Sequence, residues 1–147
     1  KSYGTLETVI KQISINGDNT RPTLESGQQA YIKVEIESQV DMTNLTCGIA
    51  IRDSYGQDIF GTNTFHHQQI LTLTKSATTL IEFELNMNIG IGKYTISAAV
   101  HNIPTMPEYV LNWHDEVLEF NVVGVSDNYF EGICRLEPKI TIKDIQN

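Results

Sequence analysis

One segment, QDIFGTNTFHHQQI at 57–70, concentrates side chains that can do chemistry: two adjacent histidines, an asparagine, two phenylalanine rings and two threonine hydroxyls. Two histidines bind one metal ion at i, i+2 on a strand or i, i+4 on a helix, because only those spacings put both rings on one face. His66 and His67 are adjacent, so on the strand predicted here they point to opposite faces. The spacing therefore predicts no metal site. The alternative requires His101, His114 and Asp115 to converge with one of the pair in space.

The sequence offers equally little for catalysis. It has no Gly-x-Ser-x-Gly nucleophile motif, and Cys47 falls on the apolar side of a predicted strand, where a thiol is usually inert. Carboxylate pairs that hydrolyse glycosides must face each other across a cleft. The glutamates instead alternate with apolar residues, as on a solvated strand face: Glu35, Glu37, Glu82 and Glu84. We predict a protein that is not an enzyme and needs no metal or cofactor.

Binding of sugar is the third possible chemistry, and the sequence contains the aromatic rings and planar polar side chains that it needs. Sugar rings present flat CH faces that stack on Trp or Tyr, and their hydroxyls bond to Asn, Asp, Gln and His. The single tryptophan, Trp113, either forms such a platform or packs in the core between two sheets. If their strands share one sheet, the predicted binding residues are Tyr55, Asn63, His66, His67, His101, Asn102 and Trp113. A phosphate on the ligand would find positive charge at Arg52 or Lys93.

Alternation of apolar and polar residues predicts the elements that position this set. The period of two, which marks half-buried strands, recurs in IKQISI (10–15), AYIKVEIE (30–37), LTCGIAIRD (45–53), TLIEFELN (79–86), KYTISAAV (93–100) and VLEFNVV (117–123). Turn residues separate the runs, and no helical period appears. The pattern predicts an all-β fold, an immunoglobulin-like antiparallel β-sandwich in one domain over 1–147. Gly92 and Tyr94 resemble the tyrosine corner of such folds.

Composition and charge exclude some classes of binding partner. The net charge is −8 and the pI about 4.8, so nucleic acid would be repelled and is not an expected partner. No apolar run reaches the roughly 20 residues of a membrane helix, so direct membrane insertion is not expected either. Cys47 and Cys134 are either two free thiols or one bridge. Because the first residue is Lys1, we expect the chain to be excised from a longer protein.

The C-terminal region departs from the pattern. A polar linker, GVSDNYFEG at 124–132, leads to a last alternating segment, ICRLEPKITI at 133–142. Pro138 cannot donate a ladder hydrogen bond, so the segment is predicted at a sheet edge. Such a strand can add to its own sheet, or to that of a second copy in a symmetric dimer.

Three stretches resemble a known family: IRDSYGQDIFGTNT (51–64), GKYTISAAV (92–100) and WHDEVLEFNVV (113–123). They are similar to the C-terminal carbohydrate-binding domain of the ATP-binding subunit of bacterial O-antigen polysaccharide ABC transporters. The likeness covers nearly the whole chain. It implies an immunoglobulin-like sandwich behind a cytoplasmic ATPase domain, and it favours a homodimer formed by exchange of the last strand. No Walker motif is present in the sequence given, so ATP is not expected to bind it.

The resemblance also implies a role. We expect non-catalytic binding of O-antigen polysaccharide, through its modified non-reducing terminus, to select it for export. The implied location is the cytoplasmic face of the inner membrane, where the ATPase domain contacts a membrane permease. Two rivals stay open: a structural dimerisation sandwich without a ligand, and a metal-dependent lectin-like domain.

Overall fold

A computed structural model describes residues 2–4, 8–103 and 112–145, with side chains placed for 8–103 and 118–145. Within these ranges the chain forms ten strands and one short 3₁₀ turn, and no helix among them is long and apolar enough to cross a membrane. The strands are β1 (Ser2–Gly4), β2 (Thr8–Ile15), β3 (Thr23–Ser26), β4 (Gln29–Ser38), β5 (Met42–Asp53), β6 (Asp58–Asn63), β7 (Leu71–Leu73), β8 (Thr78–Asn86), β9 (Gly92–Asn102) and β10 (Asn112–Val125). The 3₁₀ turn is Phe65–His67.

The strands form two sheets, which confirms the predicted all-β sandwich. In the larger sheet β10, β9 and β5 lie side by side. The short strands β1 and β3 both pair with β10, and β6 and β7 both pair with β5. The smaller sheet has the order β2-β4-β8. All pairs are antiparallel except β3 with β10, which is parallel.

The inward residues of the alternating runs form the core. Complete or near-complete burial is found for Ile32, Val34 and Ile36 of β4, for Cys47, Ile49 and Ile51 of β5, for Ile96, Ala98 and Val100 of β9, and for Phe120 of β10. Each large apolar side chain removed from water stabilises the fold by about 1.5–3 kcal/mol. The inward residues of β8 are only half-buried, because this strand is the edge of the smaller sheet: Ile81, Phe83 and Leu85.

The tyrosine corner predicted from Gly92 and Tyr94 is present. The Tyr94 hydroxyl donates a hydrogen bond of 2.6 Å to the Gly90 carbonyl oxygen, four residues upstream. Its ring stacks on Phe120 with 5.5 Å between ring centroids. Burial raises the pKa of the Tyr94 phenol, and the nearby Asp53 carboxylate adds to the shift. This corner ties the start of β9 to the loop that follows β8.

Both cysteines are free thiols. Cys47 is buried on β5, and loss of hydration raises the pKa of its thiol to about 12, so it fills the core and does not react. Cys134 is exposed.

One predicted strand differs from the structure, and a second forms only a single bridge in this chain. The strand expected through the two histidines ends at Asn63, and His66 and His67 lie in the 3₁₀ turn. The last alternating segment forms one isolated bridge, Ile89 with Cys134, and no ladder. Beyond Arg135, residues 136–145 form the C-terminal arm. Its apolar side chains are largely exposed: Leu136 84%, Ile140 79%, Ile142 91% and Ile145 87%.

Candidate binding surface

The outer face of the larger sheet is lined by the outward positions of β5 and β9. These positions alternate with core residues, and they pair across the two strands: Thr46 with His101, Gly48 with Ala99, Ala50 with Ser97, and Arg52 with Thr95. The two middle pairs consist of very small residues. We call Gly48, Ala50, Ser97 and Ala99 the small-residue floor.

Neighbouring strands extend this floor on both sides. On β6, Asn63 pairs with Gly48 and Gly61 pairs with Ala50. On β10, Trp113 pairs with Ala99 and Val117 with Ser97. One line of paired backbone positions therefore runs from Asn63 across Gly48 and Ala99 to Trp113. The Trp113 side chain lies outside the described residues, so its predicted role as platform or core residue stays a prediction.

The 3₁₀ turn stands at the β6 side of the floor. Asn63 begins the turn, because its Oδ1 accepts the His66 backbone N–H at 2.8 Å. Backbone bonds from His67 N–H to the Thr64 carbonyl and from Gln68 N–H to the Phe65 carbonyl, both 3.0 Å, close it. A side chain that can bond to nearby backbone N–H groups competes with the ladder and ends the strand. The two histidines are therefore exposed on a turn rather than on opposite faces of a strand.

Two threonines fix this turn to β5. Thr46 is only 4% exposed, and its hydroxyl accepts the Phe65 backbone N–H at 3.1 Å and lies 3.2 Å from the Thr64 hydroxyl. The Thr64 Oγ1 in turn accepts the Cys47 N–H at 3.1 Å. Buried hydroxyls that are fully bonded hold a local geometry firmly. The position of the histidines relative to the floor is thus set by bonds to the sheet.

The three histidines with described side chains differ in environment. His66 is exposed, and His67 Nε2 lies 3.1 Å from the Thr62 hydroxyl. His101 is half-buried beside the floor, and partial loss of hydration lowers the pKa of its imidazole. His101 is therefore neutral at pH 7, with one ring nitrogen as donor and one as acceptor.

Two predicted binding residues lie elsewhere. Tyr55 is 94% exposed in the turn after β5, whose Asp53 carboxylate accepts the Tyr55 N–H at 2.9 Å. At about 3.3 Å per residue this turn is roughly 16 Å from Gly48. Asn102 pairs with the buried Leu45, so its register position is on the core-facing side at the end of β9. The structure places Asn63, His66, His67, His101 and the backbone of Trp113 around the floor.

The cation at the end of the floor, Arg52, forms an ion pair. Arg52 Nε contacts Asp58 Oδ1 at 2.7 Å, so this cation is already paired. Among the residues with described side chains, no three metal-ligating groups converge on a point. The side chains of His114 and Asp115, which the metal-site alternative needs, lie outside that part of the chain.

A surface of this kind suits a flat, neutral, hydroxyl-rich molecule. Glycine, alanine and serine allow close approach to the backbone, and amide, imidazole and hydroxyl groups at the border can bond to ligand hydroxyls. The sequence reasoning missed the floor itself. Its signal was present in LTCGIAIRD and KYTISAAV, where two successive outward positions of each run carry Gly, Ala or Ser instead of long polar residues.

Comparison with known proteins identifies the family. A family model described as the Wzt C-terminal domain matches residues 1–136. The chain belongs to the Wzt C-terminal domain family. This confirms the resemblance to the C-terminal domain of the ATP-binding subunit of the O-antigen transporter, and membership in the Wzt C-terminal domain family supports a role in that transporter.

Solved structures agree on the fold. A crystal structure of the C-terminal domain of Wzt has a TM-score of 0.81 at 19% identity, covering 97% of this chain and 88% of that chain. A DNA glycosylase from Pseudomonas fluorescens, AlkC, has a TM-score of 0.53 at 14% identity, over 80% of this chain and 31% of that one. A β-glucosidase from Listeria innocua in complex with glucose has a TM-score of 0.52 at 15% identity, covering 81% of this chain and 16% of that chain. No curated protein matches the chain.

Proposed function

We propose that this domain binds O-antigen polysaccharide, without catalysis, on the outer face of its larger sheet. The observation that carries the proposal is the small-residue floor bordered by Asn63, the turn histidines and His101. A sugar ring laid on the floor meets only small side chains, and the amide and imidazole groups at the border can bond to its hydroxyls. The Wzt C-terminal domain family supplies the ligand class.

The mechanism is recognition of a chain end. Trp113 stacks on one ring face, and Asn63, His66 and His67 bond to hydroxyls or to a modification on the non-reducing terminus. We further propose that the domain is attached to an ATPase domain of the same protein, which contacts a membrane permease at the cytoplasmic face of the inner membrane. Recognition then selects finished chains for export.

The test is titration with a panel of O-polysaccharides from different serotypes. The single tryptophan makes intrinsic fluorescence a local probe, and NMR shifts map the surface. We expect one polysaccharide to bind, and we expect Asn63→Ala or His66→Ala to weaken binding at least about tenfold, or 1.4 kcal/mol. Asn19→Ala, which removes an exposed amide in a remote turn, is the matched control. A folded domain that ignores the whole panel would contradict the proposal.

We also propose that the domain is a homodimer built by exchange of the C-terminal arm. Its apolar side chains are exposed in the single chain, which is costly unless another surface covers them. Two copies would present two glycan surfaces and gain avidity for polysaccharide. Light scattering should give about 33 kDa, twice the 16.5 kDa chain, and a chain truncated after Arg135 should give the monomer mass. If the full-length chain is a monomer at all concentrations, the proposed homodimer is contradicted.

A further inference from the structure

The outer face of the smaller sheet carries a groove that the proposed function does not use. It has a volume of about 650 Å³, within the range of roughly 300–1,000 Å³ that is usual for small-molecule sites. Its lining comes from the turn after β2, the turn between β3 and β4, and outward residues of β4 and β8. Amide and aromatic side chains make up most of this lining, in contrast to the carboxylates on the rest of the face. We call it the Tyr31 groove.

Tyr31 lies at the centre of the groove. It is on the outward side of β4, 37% exposed, and Gln29 and Lys33 share this side of the strand with it. Glu84 of β8 is its paired neighbour on one flank. On the other flank, Asn16 accepts the Tyr31 N–H with its Oδ1 at 2.8 Å and donates its own N–H to the Tyr31 carbonyl at 3.0 Å. The backbone that carries the ring is therefore held on both sides.

A tight turn leaves the groove open on the β2 side. Ile15 and Asp18 exchange two backbone hydrogen bonds of 3.0 Å around two residues. These two are Asn16 and Gly17, whose φ angles of +51° and +81° are those of a type I′ turn. A Cβ at Gly17 would meet no atom within 4 Å. The turn thus brings no side chain against the groove at this position.

Two glutamine amides lie at one end of the groove. Gln28 Oε1 accepts the Glu25 backbone N–H at 3.0 Å. Gln29 Nε2 donates to Glu84 Oε2 at 2.6 Å. Each amide is oriented by one of its polar atoms, and no described residue bonds to the other atom. Gln28 therefore keeps two N–H donors for a ligand, and Gln29 keeps a carbonyl acceptor.

The charges in the groove offset one another. Lys33 Nζ lies 3.9 Å from Glu82 Oε2, and Glu84 accepts the bond from Gln29. An anionic ligand gains little here, because Lys33 is already paired and the whole chain carries a charge of −8. A neutral ligand with hydroxyls and a flat CH face fits the lining. Its ring stacks on Tyr31, and its hydroxyls bond to the amides.

We propose that the Tyr31 groove is a second polysaccharide subsite, which binds sugar units in the interior of the chain. The inference rests on the proposed function, which supplies the ligand. An interior unit is linked to the polymer on two sides, so its site must be open along the direction of the chain. The groove meets this need, because from Gln29 to Lys33 it follows the surface of β4 for about 13 Å at 3.3 Å per residue.

The floor and the Tyr31 groove then have different roles. The floor recognises the chain end, and the groove holds a stretch of the same polymer. The two sheets of a sandwich are about 10 Å apart, so both outer faces are within reach of one long chain. A weak second contact raises the affinity for a long polymer and leaves the affinity for its isolated end unchanged.

Length dependence of binding tests the subsite in the whole domain. The probes are the intact polysaccharides of the serotype panel and a short terminal oligosaccharide from each, titrated by calorimetry. Tyr31→Thr keeps a residue that favours strands. It should lower the affinity for the intact polymer about fivefold, because a ring contact is lost. The affinity for the oligosaccharide should stay within about twofold.

Matched variants define the cause of that loss. Tyr31→Phe keeps the ring and should bind the polymer within about twofold of the parent chain. Tyr129→Thr changes a tyrosine that is 73% exposed on the linker 124–132 and should have no effect. Gln28→Ala, in an exposed turn, should weaken polymer binding in the same selective way. Equal losses for polymer and oligosaccharide in Tyr31→Thr and Gln28→Ala would overturn the subsite.

Amide NMR shifts separate this inference from the proposed function. Polymer should shift the N–H signals of Gly17, Gln28 and Gln29 at the groove, as well as those of Gly48 and Ala99 at the floor. Shifts at the floor alone would overturn the subsite while the proposed function stands. Shifts at the groove alone would overturn the floor as the glycan site and support the groove. Shifts at neither place would overturn both.

Discussion

The outer faces of the two sheets are built by the same alternation and differ in side-chain size. On the smaller sheet, β4 turns Tyr31, Lys33, Glu35 and Glu37 outward, and β8 adds Glu82 and Glu84. On the larger sheet, the small-residue floor forms the middle of the outer face. Long charged side chains keep their own hydration and hold a ligand away from the backbone. Small ones leave the backbone accessible, and for this reason the proposed sugar site for the chain end is on the larger sheet.

The largest loss of polysaccharide affinity should come from placing a long charged side chain, like those of the smaller sheet, on the outer face of the larger sheet. Ala50→Glu places a long, hydrated side chain on the floor and should weaken polysaccharide binding at least about tenfold, measured by fluorescence titration. The reciprocal change Glu35→Ala on the smaller sheet should leave affinity within about twofold. Equal losses from both variants would mean that the floor is not the site.

The next largest effect, on stability, should come from Thr46, whose hydroxyl fixes the 3₁₀ turn with the two histidines to β5. Thr46→Val keeps the shape but removes the buried hydroxyl that accepts the Phe65 N–H, so the free energy of unfolding should fall by about 1–2 kcal/mol in urea denaturation. Thr95→Val, on the same face at the other end of the floor, should change it by less than about 0.5 kcal/mol. If Thr46→Val proves neutral, the turn is held by its own backbone bonds alone.

A smaller effect is expected from pH. Burial lowers the pKa of His101 below its ordinary 6.5. As the pH falls through 6.5, the His101 imidazole therefore takes up a proton more readily in the unfolded chain than in the folded chain. Stability should therefore fall as the pH drops from about 7.5 to about 5. His101→Gln should reduce this slope, and Asn19→Ala, which changes an exposed side chain without an ionisable group, should not. An unchanged slope in His101→Gln would show that other groups carry the dependence.

The smallest effect should come from the charged face of the smaller sheet. Lys33 Nζ and Glu82 Oε2 are 3.9 Å apart, and both side chains are 42% exposed. Such pairs contribute little, so Glu82→Gln should shift the free energy of unfolding by no more than about 0.5 kcal/mol, and less at high salt. A loss of a full kcal/mol would mean that this face is more than a solvated surface.

Much of the fold could be predicted because the deciding signals are local. A period of two identified the inward residues of β4, β5 and β9, and Gly92 with Tyr94 marked the corner that the hydroxyl of Tyr94 makes with Gly90. One local pattern misled. FHH continues an alternating run, yet the Asn63 amide and the buried Thr46 hydroxyl favour a turn. ICRLEPKITI alternates like a strand and forms a single bridge within this chain, so its pairing with a second copy stays a prediction.

The sequence by itself determined that this is a two-sheet β domain with a hydrophobic core, because alternation is a property of each strand alone. Tertiary structure decided what the outer face contains. Gly48 and Ala99 are small outward residues of two separate strands, and they form a floor only because the register of β5 with β9 sets them side by side. Register depends on the pairing of distant segments, which no local pattern specifies.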